Sequence, residues 1–194
     1  MTVKTRPIPI GCPTFLSMPR NENLDSLEAD IAIIGIPNIT PYYNDMQGTE
    51  CRCKSAPDAI RQQSMRLVPC LANYNFDFDG QVLADSEVRI VDCGDVFMIP
   101  GSFKENRQAA SAAISAILSR RAVPVVLGGD HGVSIPVLQA CESFNSICVV
   151  QIDAHIDWRD EVDGLHFGMS SPMRRASEMP WVDSMIQIGL RGAR

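Results

Sequence analysis

Residues Ile147 to Asp157 read I-C-V-V-Q-I-D-A-H-I-D. An apolar run meets Asp153, His155 and Asp157 at its carboxyl end. The run predicts a buried strand over 147–152. In an extended chain, positions i, i+2 and i+4 point to one side. The three side chains are therefore expected to converge on one small volume. Two carboxylates and an imidazole packed that closely repel or titrate abnormally unless a cation sits between them. A plain solvated strand end leaves unexplained why ionisable groups follow a buried run directly. The segment reads as a metal site.

The stretch upstream has the same form. Val123 to Gly132 reads V-P-V-V-L-G-G-D-H-G, a strand ending in glycines and then Asp130 and His131. Taken alone, His131 is as readily a capping or core histidine. Beside a second strand end carrying D-x-H-x-D it becomes a candidate fourth ligand, with Asp130 holding a ligand imidazole or the turn. A carboxylate and imidazole set without thiolate suits a divalent ion such as Mn²⁺. A structural zinc site would draw on cysteines, and none lies in these motifs. Such ions lower the pKa of bound water enough to make hydroxide near neutral pH.

Outward from these motifs, strands and helices alternate. Asp30 to Ile36 (DIAIIGI) reads as a buried strand, 38–55 as a long loop, and Ala56 to Met65 as a short helix capped by Ser55. Val88 to Val91 predicts a strand that stops before Asp92-Cys93-Gly94-Asp95. Ser102 and Glu105 have capping-box spacing, and Ala110, Ala113, Ile114, Ile117 and Leu118 then share one helical face. Residues 134–143 read as a helix with Ser134 as cap, 170–178 as a short helix, and 185–190 as a last strand preceded by Asp183. The fold class expected is α/β: a parallel sheet with helices on both faces. One domain over 1–194 accounts for the length, with 1–27 as an extended arm and 28–194 as the core.

Composition narrows the function classes. The 194 residues are 45% hydrophobic and 21% charged, ordinary globular values. Lys and Arg number 17 against 23 Asp and Glu, a net charge of −6, with no basic stripe. Nucleic acid is thus not an expected partner, and no apolar run approaches a membrane span. Pro7, Pro9, Pro13 and Pro19 break any targeting helix at the start. The seven cysteines (Cys12, Cys51, Cys53, Cys70, Cys93, Cys141 and Cys148) are scattered, and Cys51-Arg-Cys53 has the wrong spacing for a zinc knuckle. Cys93 and Cys148 read as small core residues. A reducing cytoplasm fits this usage.

Together, GGDH at 128–131 and DAHID at 153–157 resemble the ureohydrolase family of arginases, agmatinases and related guanidino-acid hydrolases. Gly35-Ile36-Pro37, the loop after it, and Ala56-Pro57-Asp58-Ala59-Ile60-Arg61 resemble the family's substrate loop and following helix. Thr14-Phe15-Leu16 to Pro19 resembles its N-terminal arm. Ser170-Ser171-Pro172-Met173-Arg174-Arg175-Ala176 resembles the agmatinase-like branch. The resemblance implies an arginase-like three-layer fold, a two-manganese centre, a small guanidino substrate and a homo-oligomer. By position, His131, Asp153 and Asp157 would serve one manganese, Asp153 would bridge, and His155 would serve the other. A bridging hydroxide, oriented by Asp157, would attack the guanidinium carbon and yield urea and an amine.

Two departures stand out. The family draws two further aspartates from a later D-x-D motif, which this sequence does not reach, so the chain is expected to be C-terminally truncated. The agmatinase-like branch often places a histidine directly before the glycine aligned with Gly168, for proton relay or substrate contact. Here Phe167 stands in that position and His166 lies one residue earlier. His166 is kept as a catalytic candidate against the alternative of a surface histidine. Arg174 and Arg175 are candidates for subunit contacts or acidic partners. Met46 to Glu50 and Asn44 are candidates for the substrate loop. The competing functions are a non-catalytic paralogue that modulates a full-length homologue, and a metallophosphatase. The motif order here is wrong for the phosphatase, whose D-x-H comes first and which also needs a Gly-Asn-His element.

Overall fold

The apolar run at 31–36 becomes the centre of the main sheet. The computed structural model describes residues 5–42, 52–83 and 87–192. The chain passes through β1 (Thr5–Arg6), β2 (Ile31–Ile36), α1 (Ala56–Ser64), β3 (Tyr74–Asn75), β4 (Gly80–Gln81) and β5 (Ile90–Val96). It continues through α2 (Phe103–Ser119), β6 (Val123–Gly128), α3 (Ser134–Gln139), β7 (Ile147–Ile152), α4 (Pro172–Ala176) and β8 (Val182–Ile188). The main sheet has the order β1-β5-β2-β6. β2 runs parallel to both neighbours, from Ile31 opposite Val123 to Ile36 opposite Gly128 on one side. β7 and β8 form a separate parallel pair.

Both faces of β2 are covered, which is why its sequence is apolar without alternation. On one face Ala32, Ile34 and Ile36, with Val91 and Cys93, pack against Ala110, Ala113, Ile114 and Ile117 of α2. On the other, Gly35 leaves room for the Asp95 side chain and for Pro57 of α1. A Cβ there would lie 1.9 Å from Asp95 Oδ1 and 2.9 Å from Pro57 Cβ. The architecture is of the expected α/β class, but β7 and β8 stand apart from the main sheet, and that sheet is not purely parallel. The main sheet is mixed, because β1 pairs antiparallel with β5 and so draws the N-terminal arm into the sheet.

β5 also runs further than its sequence suggests. It includes Asp92 and Asp95, both fully buried. Their charge is met by Arg61, which has no exposed surface. Arg61 Nε and Nη2 hold the two Asp92 oxygens at 2.9 and 3.0 Å, and Nη1 holds Asp95 Oδ1 at 2.7 Å. Burial opposes the Arg61 charge, but the bonds to Asp92 and Asp95 prevail and raise its pKa. Burial pushes the Asp95 carboxyl up, and Arg61 opposes the rise. Asp92 also accepts the Phe15 amide at 2.8 Å, so the same carboxylate anchors the arm.

Other local expectations change for identifiable reasons. Neither Ser55 nor Ser102 caps its helix through its side chain. The entry to α2 is held instead by Asn106, whose amide donates to the Ile99 carbonyl and accepts from the Ile99 amide, both at 2.8 Å. Ser134 lies inside a helical segment that starts with a 3-10 turn at His131–Val133, and Asp130 is the cap. Asp183 is part of β8 and does not precede it. β7 is not a buried strand. Among the described residues it pairs only with β8, and Cys148, Val150 and Ile152 are exposed, so Cys148 is not a core residue. Among the described residues β6 likewise pairs only with β2. Cys93 is buried as expected. Cys51, Asn44 and the 46–50 stretch lie outside the described residues. No helix among the described residues is long and apolar enough to cross a membrane.

Candidate metal centre

β6 and β7 deliver their polar ends to one place. After Gly128 and Gly129 the chain turns at Asp130, whose carboxylate accepts the amides of Gly132, at 2.9 Å, and of Thr40. Asp130 therefore holds the turn and not a ligand ring. That turn aims His131 across to β7, with Nδ1 2.6 Å from Asp157 Oδ2 and 3.5 Å from Asp153 Oδ2. His131, Asp153 and Asp157 each offer a ligand atom, all within 4.8 Å of one another.

The convergence does not arise from an extended i, i+2, i+4 array. The strand ends at Ile152, and Asp157 reaches the cluster with φ of +50°. Its carbonyl accepts the amides of Met173 and Arg174 at the start of α4, both at 3.2 Å, which fixes that turn. His155 stands apart and is largely exposed, with Nδ1 3.3 Å from Asp153 Oδ1. Asp153 thus turns one oxygen toward His131 and the other toward His155. The His155 amide donates to Asp153 Oδ1 at 2.8 Å and, against burial, holds the carboxyl below its usual range. Burial pushes Asp157 up, and His131 opposes the rise. The donor set is imidazole nitrogen and carboxylate oxygen, which fits a divalent ion of the manganese type.

A model of the arginase family matches residues 29–194. The chain belongs to the arginase family. It is 30% identical over 194 residues to the mitochondrial agmatinase of Gallus gallus, covering 95% of this chain and 52% of that protein. It is 30% identical over 187 residues to guanidinobutyrase of Pseudomonas aeruginosa, covering 93% of this chain and 54% of the relative. Among solved structures, proclavaminate amidino hydrolase from Streptomyces clavuligerus superposes with a TM-score of 0.76 at 26% identity, over 94% of this chain and 57% of that one. The chain spans about half the length of the curated relatives it matches.

In this arginase-family chain, His166 lies outside the His131–Asp153–Asp157 group. Its Nδ1 is 3.1 Å from the Asp160 carbonyl, and its Nε2 is 3.6 Å from Glu161. Phe167, in the position where the agmatinase-like branch often has histidine, lies under the guanidinium of Arg107. Arg175 pairs with Asp160 at 2.5 Å and Glu178 at 3.0 Å, and Arg174 with Glu178 at 3.1 Å. Sequence reading missed Gln151. It sits in the apolar run of β7, buried, and its Nε2 donates to Asp157 Oδ2 at 3.0 Å. Gln187 of β8 in turn donates to Gln151 Oε1 at 2.5 Å and to the Ile156 carbonyl at 3.0 Å. A glutamine inside an otherwise apolar strand, two residues before Asp153, was the available signal.

Proposed function

We propose that the whole protein is a manganese-dependent amidinohydrolase that converts a linear guanidino compound, agmatine or a close analogue, into urea and an amine. The observation that carries this reading is the division of Asp153 between His131 and His155. A carboxylate with one oxygen toward each imidazole is placed to bridge two cations. His131, Asp153 and Asp157 would hold one ion, and Asp153 and His155 the other. When bound, such ions act as Lewis acids and lower the pKa of water to near neutrality.

The residues of this chain do the positioning. Gln151 fixes Asp157 Oδ2, and the α4 amides fix its backbone. Asp157 then presents a carboxylate of fixed direction to orient the attacking water and hold its proton. His166 enters as the candidate proton carrier, for which its ring must leave the Asp160 carbonyl and Glu161. A homo-oligomer in a reducing, cytoplasmic setting is part of the same reading. The non-catalytic paralogue gains no support from the agmatinase and guanidinobutyrase matches, whose names are those of enzymes.

The test is urea release by the full chain from agmatine and from 4-guanidinobutanoate, after chelation and after Mn²⁺ is restored. Urea release lost on chelation and regained with Mn²⁺ is expected, with agmatine preferred. Absence of urea from both substrates under saturating Mn²⁺ overturns the reading.

A further inference from the structure

A cavity of about 320 Å³ is lined by Gly132, at the end of the Asp130–Gly132 turn, and by none of His131, Asp153 and Asp157. It lies between the end of β2, the first turns of α2 and the 164–167 loop. Its size falls within the range of small-molecule pockets. Ile39, Met98, Phe103 and Leu165 make its walls largely apolar, while Lys104 and Arg107 bring positive charge. No carboxylate lines it among the described residues.

Arg107 is the unusual member. It is half-buried, and burial lowers its pKa. Its guanidinium carbon lies 3.7 Å above the centre of the Phe167 ring. Stacking of this kind fixes the guanidinium plane and uses its face, while the N–H donors point outward within the plane. Among the described residues, none of those donors has a hydrogen bond or ion-pair partner. Thr40, Lys104 and His166 are also polar wall groups, while the two asparagines are already committed. Asn106 spends both ends of its amide on Ile99, and the Asn38 amide donates to Asp130. A positioned guanidinium fork with free donors in a mostly apolar recess is matched by an anion with a hydrocarbon body. A planar carboxylate satisfies the fork in bidentate fashion.

We propose that this cavity is a binding site for a short-chain monocarboxylate, anchored by Arg107 and lying outside the His131–Asp153–Asp157 group. The separation is structural. His131 points away, toward Asp153 and Asp157 and the cleft between β6 and β7, and only Gly132 of its turn reaches the cavity. None of His131, Asp153, His155 and Asp157 lines the cavity, whereas His166, the candidate proton carrier, does, so a carboxylate held by Arg107 lies beside it.

Calorimetric titration of the full chain with butanoate, with and without a chelator, tests this. Butanamide serves as the neutral isostere. Saturable butanoate binding that survives chelation is expected, with no detectable binding of butanamide. Binding to Arg107→Gln should be at least roughly ten-fold weaker, since hydrogen bonds to a charged group are lost. Four results overturn the proposal: no butanoate binding to the wild type, equal binding of butanamide, butanoate binding that disappears with the metal, or undiminished binding to a folded Arg107→Gln. The butanamide comparison keeps the test decisive if Arg107→Gln fails to fold.

Discussion

His131 Nδ1 lies 2.6 Å from Asp157 Oδ2, and the same oxygen accepts the Gln151 amide at 3.0 Å. One carboxylate oxygen thus joins the turn after β6 to the irregular segment after β7, and a buried neutral donor sets its direction. Groups that orient a metal ligand in this way typically change metal affinity 10- to 100-fold when removed. Gln151→Leu in the full chain should therefore weaken Mn²⁺ binding by about 10- to 100-fold, with the circular dichroism spectrum retained. Wild-type affinity in the variant would remove Gln151 from the site.

The split of Asp153 between two imidazoles leads to a second expectation. His155→Ala takes one donor from one ion and leaves the His131–Asp153–Asp157 group intact. Asp153→Asn takes a donor from both. Elemental analysis of the full chain after loading with Mn²⁺ should show His155→Ala keeping one tight site and Asp153→Asn losing most of both. Equal stoichiometry in the two variants contradicts the bridging assignment.

Arg61 ties α1, β5 and the N-terminal arm into one buried charge network. Removing one partner of such a network leaves uncompensated charge in the interior, which typically costs about 3–5 kcal/mol. Arg61→Met should lose stability on that scale in urea denaturation of the full chain. Arg61→Lys should recover little of it, because an ammonium cannot span both Asp92 oxygens and Asp95. A loss below about 1 kcal/mol in Arg61→Met would show that the network is dispensable.

The sequence was legible where one local rule acts alone. The run at 31–36 declared a central strand because both of its faces are covered, and the α2 stripe declared the face that packs on it. Strand ends carrying Asp130-His131 and Asp153-to-Asp157 declared the site, because ionisable groups next to buried runs need a reason. It was illegible where distant partners decide. Asp92 and Asp95 look like a strand terminator until Arg61, far earlier in the chain, neutralises them inside the strand. β7 looks like a core strand, yet its outer edge has no neighbour among the described residues, so Cys148 and Ile152 are exposed. The left-handed turn at Asp157 could not be read from D-x-H-x-D spacing, which assumes an extended chain.

Cys93 supplies a pH-dependent expectation away from the metal cluster. Burial, and then the neighbouring Asp92 charge, push its thiol up to about 12 from an ordinary value of 9.0, with Arg61 opposing. In the unfolded chain the thiol ionises near its ordinary value, while the folded chain keeps it protonated. Between those two values the unfolded state binds fewer protons, so stability falls as pH rises. The contribution is fully present below pH 9 and is lost on the way to pH 12, on the order of 4 kcal/mol at the top of the window. Urea denaturation from about pH 8 to about pH 11 should show a steeper decline for the wild type than for Cys93→Ala. Thiol titration with an aromatic disulfide at the lower pH should label the exposed Cys70 and Cys148 well before Cys93. Parallel stability curves, or Cys93 reacting as fast as Cys70, would show that this thiol is not sealed in the core between β5 and α2.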